Sequence, residues 1–499
     1  MKNLNFRILM ALSAVSLSAL TSQADTFKVN NIFYSPLTAT TAAVVEDPED
    51  ELAYQGSVTI PAQVTYNGTT YDVTEIGKNC FRNDAELSSV TLPTSIVKIG
   101  NMAFATCTSL QSVNLQDTKI TALPYAIFSG CTSLKTITIP ATVTTIDGNP
   151  IVNNKSMTAI NVAEGNSVYK SIDGVLFSIN GKWLLAYPGG KGVNYTVPEG
   201  TEVISNDAFN TCRTLEKVTL PSPLRTIRNN GFLYCTSLRQ INIPESLDSI
   251  WPSVFSSCRE LKLTFDLSKV SFIGGGAFQN SGVTSVILNG ALRGISDDTF
   301  NNASNLTSVT IPEGPVMIGS MAFNRTALTK IVVPNSVTRI DGNAFADCKQ
   351  LKEIEIGSGV KNIGLKAFYN CEPTSFTSHN PVPPKVSVNT NFPMFSTSVF
   401  SSCHLYVPQA AIDTYKAADT WKLFSQIDKI NNGISSVDGE SEVIISARQG
   451  VLNVKGAEMV TVYTLSGNKV YQGQGENIKL IPGNVYIVNA DGKTTKIAL

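Results

Sequence analysis

The sequence predicts a repeat solenoid, built from short parallel strands joined by irregular or 3₁₀ turns, followed by a small carboxy-terminal antiparallel β-sandwich. The first observation is a phenylalanine that recurs every 22 to 24 residues, apart from one gap, within segments resembling Ile-Gly-x-x-Ala-Phe. Such a period is typical of stacked coils that bury their apolar faces only against one another. The second is a carboxy-terminal stretch of short alternating segments, which favours antiparallel strands. The periodic phenylalanines are Phe81, Phe104, Phe128, Phe209, Phe232, Phe255, Phe278, Phe300, Phe323, Phe345 and Phe368.

Each coil is predicted to begin with a short strand that has one buried face. In one coil, Val218 and Leu220 are predicted to point into the core. Lys217 and Thr219 alternate with them and are predicted to point outwards. Pro221 removes a backbone donor and ends the strand. The Ala-Phe pair on the far side of the coil is expected to form a tight turn that leads into one helical or 3₁₀ turn.

Composition and periodicity divide the chain into segments. A basic start, an apolar stretch and small residues near Ala24 indicate a signal peptide, and therefore export. The dipeptide Asn180-Gly181 between two apolar segments indicates an inserted β-hairpin. The predicted segments are the signal peptide (1–24), an amino-terminal β cap (25–75), the solenoid (76–371) with the hairpin insertion near 163–195, a carboxy-terminal cap (372–431) that is helical from Ala410 to about Ile427, a linker (432–442) and the β-sandwich (443–499).

Most cysteines occupy one equivalent slot, three residues after a periodic phenylalanine. Other coils place Ser281, Ala303 or Thr326 in this slot, so it selects small side chains of modest polarity. This pattern favours buried free thiols that pack as small apolar groups. Disulfides between coils are the alternative, since neighbouring strands lie about 4.8 Å apart. The cysteines in the slot are Cys107, Cys131, Cys212, Cys235, Cys258, Cys348 and Cys371.

The composition argues against nucleic-acid binding and against catalysis. The chain has 38 basic and 39 acidic residues, and only 15% of its residues are charged, so it lacks the dense Lys and Arg that phosphates require. Its two histidines, His379 and His404, lie outside the repeats, and no Gly-x-Ser-x-Gly motif is present. The nearest cysteines are 23 residues apart, which excludes a Cys-x-x-Cys metal site. The sequence therefore predicts no enzyme, no cofactor and no metal site.

The coil unit resembles a known family. The pattern Ile-Gly-x-x-Ala-Phe-x-x-Cys-x-x-Leu-x-x-Val-x-Leu-Pro is complete from Ile99 to Leu115 except for its final proline. It resembles the BspA-like leucine-rich repeat family over about residues 55 to 430. The resemblance implies a surface or secreted repeat protein, and several members of the family are implicated in adhesion to host matrix proteins or other cells.

The carboxy-terminal region resembles the sorting tails of type IX secretion. The resemblance lies in the segment from Tyr463 to Gly467, the Gly483-Asn-Val-Tyr486 segment and the basic end that contains Lys493. It implies passage through the outer membrane and exchange of the tail for a surface anchor. We therefore expect the protein on the cell surface or secreted, with membrane contact only through such an anchor.

The predicted function is non-enzymatic binding of proteins or cell surfaces by the outward strand residues. These residues are mostly small and polar and lack the aromatic anchors of tight protein interfaces, which favours weak, multivalent adhesion. The predicted partner is a protein or cell-surface ligand, for which the resemblance suggests a host matrix protein. The candidate binding residues are Lys217, Thr219, Gln240, Asn242, Ser308, Thr310, Lys330, Val332, Glu353 and Glu355.

The alternative function is that of a glycan-binding or glycan-processing surface protein. In this hypothesis the aromatic residues Trp183 and Tyr187 of the inserted hairpin form the site. A glycosidase needs two carboxylates about 5–9.5 Å apart on either side of a groove. No such pair stands out in the sequence.

Overall fold

The computed structural model describes residues 26–47, 54–387 and 394–430, and in the carboxy-terminal region residues 444–448, 451–455, 457, 459–464, 469–475, 477–481, 484–490 and 493–498. The chain divides after Asp428 into two compact units. The larger unit is the predicted leucine-rich repeat solenoid, with about 15 turns and little helix. The predicted signal peptide and linker lie outside the described residues.

The amino-terminal part of the solenoid unit is a mixed sheet that runs into the coils. Its strands, in spatial order, are Phe27–Val29, Ile32–Pro36, Thr41–Val45, Thr69–Ile76 and Gln63–Tyr66. Because Thr69–Ile76 also pairs in parallel with Lys98–Ile99 of the first regular coil, this sheet extends the hydrogen bonding of the solenoid and covers its amino-terminal end.

Two strands per coil form two sets of parallel strands, which we call the first and second ladders. Most strands pair with their equivalent in the next coil, for example Lys330–Val333 with Glu353–Ile356, and the interruptions divide each ladder into several sheets. The first ladder comprises Gly56–Thr59, Leu87–Thr91, Ser112–Val113, Thr136–Ile139, Ala159–Val162, Asn194–Thr196, Lys217–Thr219, Gln240–Ile241, Thr264–Asp266, Ser285–Ile287, Ser308–Thr310, Lys330–Val333, Glu353–Ile356, Ser375–Ser378, His404–Val407 and Gln426–Lys429. The second comprises Lys98–Ile99, Ala122–Leu123, Thr145–Ile146, Trp183–Ala186, Val203–Ile204, Thr226–Ile227, Ser249–Ile250, Phe272–Ile273, Met317–Ile318, Arg339–Ile340, Asn362–Ile363 and Lys385–Val386.

The turn that carries the periodic phenylalanine is irregular rather than helical. Two residues of each such turn, two positions before and two after the phenylalanine, adopt left-handed dihedrals; around Phe209 these are Asp207 (φ 58°) and Thr211 (φ 63°). Left-handed residues interrupt the right-handed conformation of a helix. The turns instead bond to the next coil, since the N–H of Phe209 donates to the carbonyl of Gly231 at 2.8 Å. The one 3₁₀ helix in the described coils before the cap is Leu115–Asp117.

The phenylalanines form a stack through the core. Phe323 and Phe345 are fully buried, with ring centroids 5.2 Å apart and ring planes 5° apart. The spacing follows from the parallel strands, which hold equivalent residues of successive coils about 4.8 Å apart. Burial of each side chain contributes about 1.5–3 kcal/mol. The stack continues past the last periodic residue to Phe395, whose ring lies 5.6 Å from that of Phe368.

The cysteine slot lies behind this stack. All nine cysteines are buried and free, so the free-thiol interpretation is confirmed. The thiol of Cys258 lies 3.1 Å from the carbonyl oxygen of Phe232 in the preceding coil and donates to it. Thr326 fills the same slot and donates to the carbonyl of Phe323. Most occupants of the slot therefore satisfy a buried carbonyl in addition to filling space.

The inserted segment forms three antiparallel strands rather than a single hairpin. The strands are Tyr169–Ile172, Val175–Ser178 and Trp183–Ala186. The second turn is the predicted Asn180-Gly181, and the first is Asp173-Gly174, in which both residues have positive φ. We call these strands the meander. Its last strand pairs in parallel with Val203–Ile204 and so begins a new run of the second ladder.

The carboxy-terminal cap contains less helix than predicted. The stretch expected to be helical from Ala410 to about Ile427 is divided, because Ala418 has extended dihedrals and Thr420 a positive φ of 69°. Its aromatic residues Tyr415, Trp421 and Phe424 are nevertheless buried against the last coils. The helices are Val399–Ser402 and Ile412–Ala417, with 3₁₀ segments at Gln409–Ala411 and Trp421–Leu423. Strands of the first ladder continue through the cap to Gln426–Lys429.

The carboxy-terminal unit consists of two small antiparallel sheets, in agreement with the predicted sandwich. One contains Ile444–Arg448, Val451–Lys455 and Ile478–Lys479, and the other Lys469–Gly473, Val460–Thr464, Val485–Ala490 and Lys493–Ala498. Buried residues of both sheets, including Leu452 and Val488, share one apolar cluster. The segments between these strands, including part of the sorting-tail motif after Thr464, lie outside the described residues.

Candidate binding surfaces

The outward side of the first ladder carries the ten predicted binding residues. Val218 is buried, whereas Lys217 and Thr219 on either side of it are exposed. This alternation follows from the period of two in a strand. We call the outward side of the first-ladder strands the first-ladder face.

The strand register brings some of the predicted residues together. Lys217 lies opposite Gln240 in the neighbouring coil. Lys330 lies opposite Glu353, and the two side chains form an ion pair of 2.9 Å with both groups about half exposed. An exposed pair of this kind contributes about 0–1 kcal/mol, so it orders the surface more than it stabilises the fold. The ten residues fall into three separate sheets of the first ladder and do not converge on one pocket.

Several of the predicted residues already have partners within the chain. The side-chain amide of Asn242 accepts from the N–H of Leu220 at 2.7 Å and donates to its carbonyl at 2.9 Å, which joins two coils. Ser308 contacts Ser285 at 2.7 Å through their hydroxyls. Val332, by contrast, is an apolar side chain that is 45% exposed. Asn242 therefore has a structural role in addition to its position on the face.

Both histidines lie at the carboxy-terminal end of the first-ladder face and pair with carboxylates. His379 Nε2 lies 2.8 Å from Glu355, one of the predicted binding residues. His404 Nε2 lies 2.5 Å from Asp428, and the imidazole stacks on the ring of Tyr406 with centroids 4.4 Å apart. Both rings are therefore engaged with carboxylates rather than with a serine or cysteine nucleophile.

The described residues offer little for catalysis or metal binding. Among them, no group of three or more His, Cys, Asp or Glu side chains is arranged to hold a metal ion. Burial raises the pKa of the Cys258 and Cys212 thiols above the usual value, whereas a reactive cysteine needs an accessible thiol of lowered pKa. The described helices include none that is long and apolar enough to cross a bilayer.

A second surface, on the outward side of the second ladder, was not predicted as a whole. It consists of Trp183, Arg228, Trp251 and Phe272, which we call the aromatic patch. The guanidinium carbon of Arg228 lies 4.6 Å from the ring centroid of Trp183 and 5.6 Å from that of Trp251. The ring of Phe272 meets that of Trp251 edge-on at 6.1 Å. Trp251 is 38% exposed and Phe272 46%.

The sequence held one signal for this patch. Arg228 and Trp251 directly follow the buried Ile227 and Ile250 of successive coils, in the slot that is glycine in coils such as Ile99-Gly100. In two consecutive coils a large side chain therefore stands at an outward position where other coils have a small residue. This replacement indicates a surface that differs chemically from the rest of the second ladder. The sequence indicated Trp183 as a candidate, but its contact with Arg228 depends on the path of the meander.

Comparisons with known proteins agree with the repeat architecture. The sequence matches the family described as the BspA type leucine rich repeat region, in six copies, over residues 62–178, 191–292 and 271–406. No curated protein matches the chain at a significant level.

Several solved structures are similar to the chain. The pneumococcal vaccine antigen PcpA is 20% identical, with 82% of this chain and 99% of that chain covered and a TM-score of 0.46. A leucine-rich repeat protein from Bacteroides ovatus is 23% identical, with 71% and 94% covered and a TM-score of 0.39. A leucine rich cell surface protein from Faecalibacterium prausnitzii is 23% identical, with 66% and 94% covered and a TM-score of 0.33.

The family match spans well over half of the chain and includes the coils of both ladders. The chain belongs to the BspA type leucine-rich repeat family.

Proposed function

We propose that the protein is a non-enzymatic, exported scaffold that binds proteins or cell surfaces through the first-ladder face. The observation that carries the proposal is that this face repeats exposed polar side chains, such as Lys217, Thr219 and Thr310, over a fully buried apolar core. Stacked coils hold these side chains at fixed spacings, which suits an extended contact rather than a pocket.

The chemistry of the face favours weak contacts repeated along the solenoid. Its charges have mixed sign, as in the pair Lys330 and Glu353, so no single strongly charged ligand is selected. The predicted residues include none of the Trp, Tyr and Arg side chains that dominate tight interfaces. Affinity for a partner would therefore arise from several modest contacts made at once.

The proposed location is the cell surface or the medium. The predicted signal peptide at 1–24 supports export, and the sandwich of 443–499 is proposed to act as a type IX sorting tail, joined to the predicted cap (372–431) by the predicted linker at 432–442. Surface proteolysis of intact cells tests this location. Rapid loss of the solenoid from intact cells supports a surface position, whereas resistance until lysis contradicts it.

Charge reversal on the first-ladder face tests the binding proposal. The double variant Lys217→Glu and Lys330→Glu is compared with the wild type for binding to immobilised fibronectin, laminin and collagen. We expect at least about a tenfold loss of apparent affinity for the matrix protein that the wild type binds, which corresponds to about 1.4 kcal/mol.

The matched control is Lys98→Glu and Lys385→Glu on the second ladder. In each variant one lysine has an ion-pair partner, Lys330 with Glu353 and Lys98 with Glu75. The control is expected to bind as the wild type does. Equal losses in both variants, or no binding of the wild type to any matrix protein and to host cells, would contradict the proposal.

A further inference from the structure

The aromatic patch has the composition of a binding site and lies on a different ladder from the first-ladder face. Two of the three tryptophans in the chain belong to it. Large aromatic side chains on a surface leave apolar area in water unless a ligand covers it. Arg228, Trp251 and Phe272 come from consecutive coils, so the solenoid core fixes their spacing.

Arg228 gives the patch a positive charge without an internal counter-ion. The guanidinium lies between the rings of Trp183 and Trp251. Its Nε is buried and has no hydrogen-bond partner, and no ion pair of Arg228 is found among the described residues. The aromatic faces stabilise the cation, but they cannot accept its N–H groups as an oxygen does. An anionic oxygen ligand would satisfy the terminal N–H groups, which unlike the Nε are not among the buried atoms without a partner.

Hydroxyl groups lie between the two aromatic ends of the patch. In the register of the second ladder, Trp183 is followed by Val203, Thr226, Ser249 and Phe272 in successive coils. The hydroxyls of Thr226 and Ser249 lie 3.0 Å apart. Four ladder steps of about 4.8 Å separate the aromatic ends by roughly 19 Å. The surface therefore suits an extended ligand that lies along the solenoid and carries both apolar faces and hydroxyls.

We propose that the aromatic patch binds a linear, uronate-containing polysaccharide. The C–H face of a pyranose ring packs against the electron-rich face of an indole or phenyl ring. Its hydroxyls pair with Thr226 and Ser249, and its carboxylate accepts the N–H groups of Arg228. Trp and Arg side chains also anchor protein interfaces, but the paired hydroxyls of Thr226 and Ser249 between the aromatic ends favour a ligand rich in hydroxyls. This inference does not depend on matrix-protein binding by the first-ladder face.

The test measures binding of the full chain to polygalacturonate, with the uncharged polymer galactan, the single-terminus acid sialyllactose and the protein gelatin as comparison ligands. The wild type binds polygalacturonate more tightly than galactan. Arg228→Gln and Trp251→Ala each weaken binding to polygalacturonate by at least about tenfold, because the first loses charge-assisted hydrogen bonds and the second loses the ring surface. Added salt weakens binding of the wild type more than that of Arg228→Gln.

The control is Arg225→Gln, which removes the same charge from an exposed position of the same coil, outside the patch. It is expected to bind polygalacturonate as the wild type does, within about twofold. Phe272→Ala repeats the aromatic test should Trp251→Ala lower the melting temperature.

Four results would overturn the inference. The first is a wild type that binds neither polysaccharide, and the second is binding that Arg228→Gln and Trp251→Ala leave unchanged. The third is a preference for sialyllactose over polygalacturonate. The fourth is binding only to gelatin that Trp251→Ala abolishes. That last outcome would make the patch a protein-docking face.

Discussion

The solenoid has two apolar cores that differ in the length of their aromatic stack. The carboxy-terminal core contains eight successive phenylalanines, from Phe209 to Phe368, each stacked on the next. The amino-terminal core contains three, from Phe81 to Phe128. In the coil that follows Phe128, the aliphatic Ile151 lies in the core instead of a ring. The position at which isoleucine stands in place of the periodic phenylalanine thus coincides with the boundary between the two cores.

The meander lies at this boundary and supplies side chains to both cores. Leu176 and Ala186 belong to the amino-terminal core, whereas Val175, Phe177 and Leu184 belong to the carboxy-terminal core. Alternation separates Leu176 from Val175 and Phe177. The register shift that pairs Phe177 with Leu184 but Leu176 with Ala186 places Leu184 and Ala186 in different cores. The insertion is therefore a packed joint between two runs of coils. The coils of each run depend mainly on their neighbours in the same run.

The largest expected effect comes from removing a ring inside the long stack. Phe300→Ala removes a fully buried side chain that stacks on Phe278 and Phe323 at 5.3 Å each. We expect a loss of about 3–5 kcal/mol in the free energy of unfolding. Urea unfolding followed by circular dichroism measures it. Phe300→Leu is the control and should cost clearly less, because leucine refills part of the buried volume. Equal losses would contradict this and would show that the ring itself, rather than buried volume, holds the stack.

A smaller effect is expected at the joint. The buried amide of Asn149 donates to the carbonyl of Asp207 at 2.8 Å, across 58 residues of chain, and accepts from the N–H of Ile151. Asn149→Ala leaves the N–H of Ile151 unpaired and removes one of the two donors to the carbonyl of Asp207, which also accepts from the N–H of Asn210. The loss should cost about 1–3 kcal/mol. Limited proteolysis with mass spectrometry should then find new cleavage between residues 163 and 195. Asn114→Ala, which breaks a coil-to-coil amide pair away from the joint, should leave that region protected.

The third effect is expected in the cysteine slot. Two substitutions there separate the contribution of hydrogen bonding from that of side-chain volume. Cys258→Ala removes the thiol that donates to the carbonyl of Phe232, which keeps only its bond from the N–H of Cys235, and should destabilise the fold by about 1 kcal/mol. Cys258→Thr loses the same bond between coils, but its hydroxyl is expected to donate to the carbonyl of Phe255 in its own coil, as Thr326 does to Phe323. Thermal unfolding of both variants should show a higher melting temperature for Cys258→Thr than for Cys258→Ala. The reverse order would mean that only small size matters in the slot.

The smallest effect is expected at the left-handed turn positions. Tyr234 is exposed and has a φ of 57°. Tyr234→Gly and Tyr234→Ala remove the same side chain, but only glycine adopts this conformation without a steric cost of about 1–2 kcal/mol. The glycine variant should therefore be more stable by about 1 kcal/mol in thermal unfolding. A more stable alanine variant would contradict the left-handed assignment.

The regular coils were predictable because the same residue type recurs at equivalent positions of many coils. Phe255 and Cys258 recur at fixed offsets in neighbouring coils, and both are buried as expected. The three-stranded meander was only partly predicted, since its strand Tyr169–Ile172 is half-buried throughout and shows no alternation. The left-handed residues at the turns were not predicted, because side chains as different as Tyr234 and Met321 adopt the same conformation there.

The two candidate surfaces also differ in how far the sequence alone predicts them. The first-ladder face could be predicted from alternation within one strand, as at Lys217 and Thr219. The aromatic patch depends on contacts between coils, such as that of Arg228 with Trp183, which lies 45 residues earlier in the chain. The strand register across the meander determines which side chains come into contact, and no local sequence pattern encodes that register.

Hydrogen–deuterium exchange on the full chain carrying Phe104→Ala tests most directly whether the solenoid has two cores. We expect amide protection to be lost in the amino-terminal strands as far as Ala159–Val162 and to be retained from Val203–Ile204 onwards. Uniform loss of protection from Lys98–Ile99 through Asn362–Ile363 would contradict it, because a single cooperative core would then unfold as a whole.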